Sequence, residues 1–215
     1  MRSRPPDITK ELDGWTLFWS ELEVTGSGDD ELSALRASVA EAARQRLDIK
    51  ALSADPTVAA LRRLFKQAGT DPSRYRPASE ALLRRLLKGG ELPAISPMVD
   101  INNCLSAELA VPCCVMADGT FEPRMVWRAG KEGESYQSLK GPFNLGGRPL
   151  LCDEKGPLDT PITGNERVKV TPETRRAWLV AYLPSESVSP DRARETLERL
   201  VAEAPVVSIL DTGSS

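Results

Sequence analysis

The stretch Arg76-Pro77-Ala78-Ser79-Glu80-Ala81-Leu82-Leu83-Arg84-Arg85-Leu86-Leu87 carries a complete helix signal. Pro77 stands where a first turn has no use for an amide, apolar Ala81, Leu82 and Leu86 recur at helical spacing, and Gly89-Gly90 ends the run. That phase turns Arg84, Arg85 and Lys88 to the opposite side. Upstream, Asp55-Pro56 reads as an N-cap and first helical position, opening a helix through Leu61, Leu64 and Phe65 that stops at Gly69. From Glu31 to about Leu52, Leu32, Leu35, Val39, Ala42, Ala43, Leu47 and Leu52 form one apolar stripe. Residues 14–24, rich in aromatic and β-branched side chains, read as a strand, and Gly26-Ser27-Gly28-Asp29-Asp30 as a loop.

Downstream, Pro97 opens a further helix to about Leu109, and Pro112 bars its continuation. Short strands follow at 113–117, 122–128, 149–153 and 176–183, separated by glycine and proline turns. A helix is signalled at Ser189-Pro190 with Ala193, Leu197, Leu200 and Val201 on its inner side, and 206–210 reads as a closing strand. A helix-rich front and a strand-rich remainder, with no repeat and no flexible linker between them, imply an α+β fold. We read residues 1–74 as an N-terminal strand and helices packed on the core and 75–215 as the principal domain, the two forming one continuous unit.

The chain has 215 residues, 40% hydrophobic and 27% charged, a globular balance, and it contains no histidine. That excludes a Ser-His-Asp or Cys-His nucleophilic apparatus, every zinc site that needs imidazole, and the general base that enzymes use most. The formal charge of -3 gives no global reason to bind nucleic acid. Residues 61–90 are different, with eight basic side chains against Asp71 and Glu80. Cys104, Cys113, Cys114 and Cys152 show no metal-ribbon or disulfide-scaffold spacing, so reduced thiols are expected. With no signal-like or membrane-length apolar run, we expect a cytoplasmic protein. No phosphate-cradling glycine loop is present, and no cofactor or metal is expected.

Beyond the opening helix come Leu92-Pro93-Ala94-Ile95, Val99-Asp100-Ile101-Asn102-Asn103 and Glu108-Leu109-Ala110-Val111-Pro112, then Asp153-Glu154-Lys155-Gly156 and Ile162-Thr163-Gly164-Asn165-Glu166-Arg167-Val168-Lys169-Val170-Thr171-Pro172-Glu173-Thr174. In this order they resemble the B3/B4 module of the phenylalanyl-tRNA synthetase β subunit, and more closely the free-standing B3/B4-domain proteins. The resemblance covers most of residues 75–183. It implies a β-sandwich-like core flanked by helices. It also implies hydrolysis of tyrosine wrongly esterified to phenylalanine tRNA, with a pocket histidine two residues after the proline and a glutamate that reads the tyrosyl hydroxyl. Here the histidine position falls on Cys114 and the glutamate position on Glu166, while Asn103 and Gly164 match an asparagine and a glycine of the same motifs.

The residues themselves fit an aminoacyl-ester chemistry that asks only for a positioned water, a stabilised oxyanion and a seat for the substrate. Glu166, after Gly164 and Asn165, is the candidate catalytic carboxylate. Its bland alternative is a surface pair with Arg167 or Lys169 worth under about 1 kcal/mol. Asn103, Cys114, Thr163, Gly164 and Asn165 are the candidate substrate-binding residues, with the Thr160 hydroxyl nearby. Of Asn102 and Asn103, at least one is expected to point inward and be satisfied by hydrogen bonds. Asp100 is a cap, or a partner of Arg84 or Arg85. Cys114, lacking a base, reads as a pocket-lining thiol rather than a nucleophile. Trp127, Phe121 and Phe143 are candidates for an aromatic wall.

Arg62, Arg63, Arg84, Arg85 and Lys88 are the candidate tRNA contacts, since A-form RNA is engaged through phosphates and 2′-hydroxyls. Two other classes stay open: a tRNA- or RNA-binding module without catalysis, and a small-molecule binder of the amino-acid type. A complete tRNA ligase is not expected.

Overall fold

Strand β9 (Arg176–Pro184) is buried over nearly its whole length, and its alternation divides the molecule into two cores. Ala177, Leu179, Ala181 and Leu183 point to one side, and Trp178, Val180 and Tyr182 to the other. Period-two geometry makes this a strand with no solvent face. The computed structural model describes residues 4–26 and 28–215. Met1–Ser3 and Ser27, which the sequence reading assigns to the start of the chain and to a loop, lie outside the described residues.

β9 sits inside a four-stranded sheet between β2 (Trp15–Val24) and β3 (Cys113–Ala117), with β10 (Val207–Ser214) beyond β2. All of these neighbours run antiparallel to one another. β2 repeats the alternation, with Phe18 and Leu22 on one face and Leu17 and Trp19 on the other. The first face is covered by α1 (Asp29–Arg46), α3 (Ala78–Leu87), α4 (Pro97–Leu109) and α5 (Pro190–Glu203), which contribute Leu35, Val39, Leu83, Leu86, Ile101, Leu105 and Leu197. The second face packs on another sheet, ordered β1 (Asp7–Lys10), β4 (Arg124–Ala129), β7 (Pro149–Asp153) and β8 (Gly156–Asp159), together with α2 (Pro56–Gln67). The architecture is therefore α+β, a two-sheet sandwich flanked by helices. Each large side chain sealed between layers contributes roughly 1.5–3 kcal/mol.

Several local outcomes follow directly from sequence. Asp55 caps α2 by accepting from the amides of Thr57 and Val58, with Pro56 at the first position. α4 ends at Ala110 in the left-handed region, φ 58, immediately before Val111-Pro112. The thiols are free. Others differ. The stripe expected to run to Leu52 breaks at Arg46, because Leu47 is extended and Leu52 returns to the core only in a separate 3-10 turn. The inner face of α3 is Ser79, Glu80, Leu83 and Leu86, while Ala81 is exposed. The helix is rotated by a buried carboxylate that apolar spacing cannot reveal. The hairpin of β5 (Ser135–Ser138) and β6 (Gly141–Asn144), with β1 and β8, was not expected at all.

Among the described residues no helix is long and apolar enough to cross a membrane.

Candidate functional site

β3 is the last strand of its sheet, and beside it opens a cleft of about 1070 Å³. Its walls are the helix layer at Leu82, Met98 and Asn102, the strand residues Cys113, Cys114 and Val115, and the irregular segment from Asp159 to Asn165. The two large apolar side chains most exposed to solvent, Ile95 at 64% and Leu139 at 51%, both belong to this lining.

The segment after β8 is held tightly. Thr160 Oγ1 accepts from the amides of Ile162 and Thr163 at 3.3 and 3.2 Å, closing a hydroxyl-capped turn. Tyr136 on β5 donates its hydroxyl to the Thr163 carbonyl. The amide of Ala78, at the start of α3, donates to the Pro161 carbonyl at 2.9 Å, tying the turn to the helix layer. Asn165 donates to the Pro157 carbonyl and accepts from the Arg167 amide, so its side chain braces the turn.

Asp159, at the end of β8, is the carboxyl among the described cleft-lining residues, and it is 2% exposed. Its Oδ2 accepts from the Tyr182 hydroxyl at 2.6 Å, and that hydroxyl lies 3.5 Å from Cys114 Sγ. Tyr182 is fixed in turn by stacking on Trp127 of the facing sheet, with ring centroids 5.0 Å apart. Burial raises the Asp159 pKa from 3.8 to about 7, against the opposing pull of hydrogen bonds from Tyr182, Cys114 and the Thr160 amide. No described Lys or Arg forms an ion pair with it. Burial also pushes Tyr182, Tyr136 and Cys114 well up, so all three are neutral and Cys114 is no thiolate.

The structure brings Asn103, Cys114, Thr163, Gly164 and Asn165 onto this one cleft. It sets Glu166 apart, exposed on a 3-10 turn outside the lining, with its carboxylate 3.3 Å from Lys169. Asn102 points inward, but its Oδ1 is buried without a hydrogen-bond partner, so the expected satisfaction is not met. Asp100 pairs with Arg36, not with Arg84 or Arg85, and also caps the amides of Ile95 and Ser96. Trp127, Phe121 and Phe143 form no cleft wall. Trp127 lies between the sheets, Phe121 packs against the same core, and Phe143 lies against Tyr75 and Tyr136.

The basic stretch is also reorganised. Glu80 is fully buried, and Arg62, Arg76 and Arg84 reach it at 2.9, 3.3 and 3.0 Å. Arg63 is paired with Glu186. Arg85 and Lys88 remain exposed and outside these pairs. Three other exposed cations, Lys140, Lys169 and Arg175, line the cleft itself. Asp159 is the cleft-lining carboxyl that sequence reasoning did not single out. Its one signal is an acid between Leu158 and Thr160 with no basic neighbour, in a segment whose Gly156-Pro157 start reads as a turn. Among the described residues no group of three or more Cys, Asp or Glu side chains is placed to hold a metal.

Comparison with known proteins adds three findings. The B3/4 domain family matches residues 60–203 of the chain. The phenylalanine–tRNA ligase β subunit of Bartonella henselae is 33% identical over 109 residues, which are 49% of this chain and 14% of that subunit. A crystal structure of an N-terminal fragment of the phenylalanyl-tRNA synthetase β subunit from Pyrococcus horikoshii is similar with a TM-score of 0.46 and 14% identity, over 96% of this chain and 52% of the fragment. The chain thus corresponds to a small part of the curated relative it matches.

Proposed function

Because the chain belongs to the B3/4 domain family, we propose that its cleft receives the aminoacyl end of a mischarged tRNA and hydrolyses the ester in trans. The observation that carries this reading is the cleft's division of labour. An apolar chamber of about 1070 Å³ is large enough for an amino-acid side chain, with Asn103 in its helix-layer wall and Asp159, Thr160 and Thr163 in the wall formed by the segment after β8. Water adds to the carbonyl carbon, the acyl–oxygen bond to the ribose breaks, and the water's proton passes to the ribose oxygen, giving free amino acid and tRNA. An activated ester needs no nucleophilic side chain for this, which agrees with a protonated Cys114.

Asn103 and Thr163 are the hydrogen-bonding residues nearest in kind to an oxyanion or carbonyl binder. Glu166 acts from the rim. Its partner Lys169 lines the cleft, and a ligand phosphate that competes for Lys169 frees the Glu166 carboxylate to hold water. Lys140, Lys169 and Arg175 supply a mouth for the tRNA's terminal phosphates, and Arg85 and Lys88 extend it along α3.

The test is release of amino acid from a panel of mischarged tRNAs. At least one ester should be cleared well above the buffer rate, with Asn103→Ala and Thr163→Val slowing it tenfold or more. If every ester survives as long with protein as without, hydrolysis is not the function. The position of Glu166 outside the lining favours one second reading, an amino-acid binder without catalysis. It would give thermal shifts with amino acids and no ester release.

A further inference from the structure

We propose that Asp159 seats a free primary ammonium, so that the cleft takes α-amino acids and their esters and turns away the N-acylated forms. This deepens the aminoacyl-ester reading above and rests on it for the identity of the rest of the ligand. Asp159 is nearly sealed from solvent, yet its described neighbours are neutral: the Tyr182 hydroxyl that donates to it, with the Cys114 thiol and the Thr160 amide beside it. A buried carboxylate ordinarily has a cation, as Glu80 and Asp100 do in this same chain. At Asp159 no described side chain supplies the cation, and the carboxyl borders the cleft, where a ligand can supply it.

The approach is open on one side. Gly164 faces Asp159 across a strand bridge, and a Cβ built there would stand 3.7 Å from Asp159 Oδ1 and 3.2 Å from Leu139 Cδ1. Its φ is not in the left-handed region, so backbone conformation does not demand glycine here. The absent side chain instead leaves room beside Oδ1. The charged groups of the cleft are also sorted. The acid is buried in the wall, while Lys140, Lys169 and Arg175 are exposed. A ligand that is cationic at its inner end and anionic at its outer end matches that arrangement, and an aminoacyl nucleotide has this polarity. An N-acyl group removes the charge, leaves one weaker donor and adds bulk against Leu139.

The experiment compares each mischarged tRNA of the panel with its N-acetylated counterpart, using wild-type protein, Asp159→Asn and Gly164→Ala. Wild type should clear the free-amine ester at least tenfold faster than the N-acetyl ester, and both substitutions should remove most of that preference. Equal clearance of the two forms by wild type overturns the ammonium seat and leaves the hydrolase reading standing. If neither form is cleared, the hydrolase reading has failed, and thermal shifts with amino-acid amides and their N-acetyl derivatives decide the seat alone. A shift specific to the free amine and lost in Asp159→Asn supports it. Shifts that are equal, or absent, overturn it.

Discussion

Two buried carboxyls lie on either side of this fold in opposite surroundings. Glu80, in the helix layer, is ringed by Arg62, Arg76 and Arg84, while Asp159, in the cleft wall, meets among the described residues the neutral Tyr182 hydroxyl, Cys114 thiol and Thr160 amide. The first arrangement is closed. Its charge is matched inside the protein, and it joins α2 to α3. The second is open, with a charge deficit that a ligand can fill. A run of arginines around an acid here joins two helices, whereas the acid without arginines lies in the wall of the cleft.

The largest effect expected from breaking this contrast is at Glu80. Glu80→Ala strands three guanidinium groups around a cavity and should destabilise the protein by about 3–5 kcal/mol, read from urea unfolding. Loss of under about 1 kcal/mol would show the ring to be solvated and dispensable. Next comes the pH dependence contributed by Asp159. Between its ordinary value of 3.8 and its raised value of about 7, the folded protein holds a proton that the unfolded chain has released. Stability from this group is therefore greatest at acid pH, falls as pH rises through that window, and levels off above it. The facing groups Tyr182, Cys114 and Tyr136 stay neutral throughout. Asp159→Asn should gain stability over wild type with rising pH by an amount on the order of a few kcal/mol. A pH-independent difference would mean that Asp159 is compensated after all.

A smaller effect is expected at the mouth. Lys140→Ala with Arg175→Ala should weaken tRNA binding severalfold at low salt and flatten its salt dependence, as gel shifts across a salt series would read. Unchanged binding would return the RNA surface to Arg85 and Lys88. The smallest concerns the end of α4. Ala110→Gly relieves a left-handed residue and should stabilise by up to about 1 kcal/mol in urea unfolding, and a loss of stability would show that the left-handed turn is not strained.

The elements with strong local grammar were legible in the sequence. Pro56, Pro97 and Pro190 each open a helix where proline at the first turn predicts one, and the apolar run in β9 could not be anything but interior. β5, β6 and β8 were not legible. Each has four residues, and Gly141-Pro142 and Gly156-Pro157 carry turn chemistry that only tertiary pairing overrides. The site followed the same division. Asn103, Cys114 and Gly164, matched by resemblance, reach one cleft with Thr163 and Asn165, read from the turn itself, while Glu166, also matched by resemblance, stays outside its lining. Asp159 escaped because it ends an unforeseen strand, and because its distinguishing property, the lack of a cation, exists only once the chain is folded. The charge run at residues 61–90 was legible only in part, since counting Glu80 as one acid among eight bases conceals that three of those bases converge on it.

The most direct measurement is carboxyl NMR titration of Asp159, assigned by comparison with Asp159→Asn, in the free protein and with an amino-acid amide present. Asp159 should titrate near 7 in the free protein and move to lower pH when the amine binds. Titration near the ordinary 3.8, unmoved by any free-amine ligand, would contradict the account.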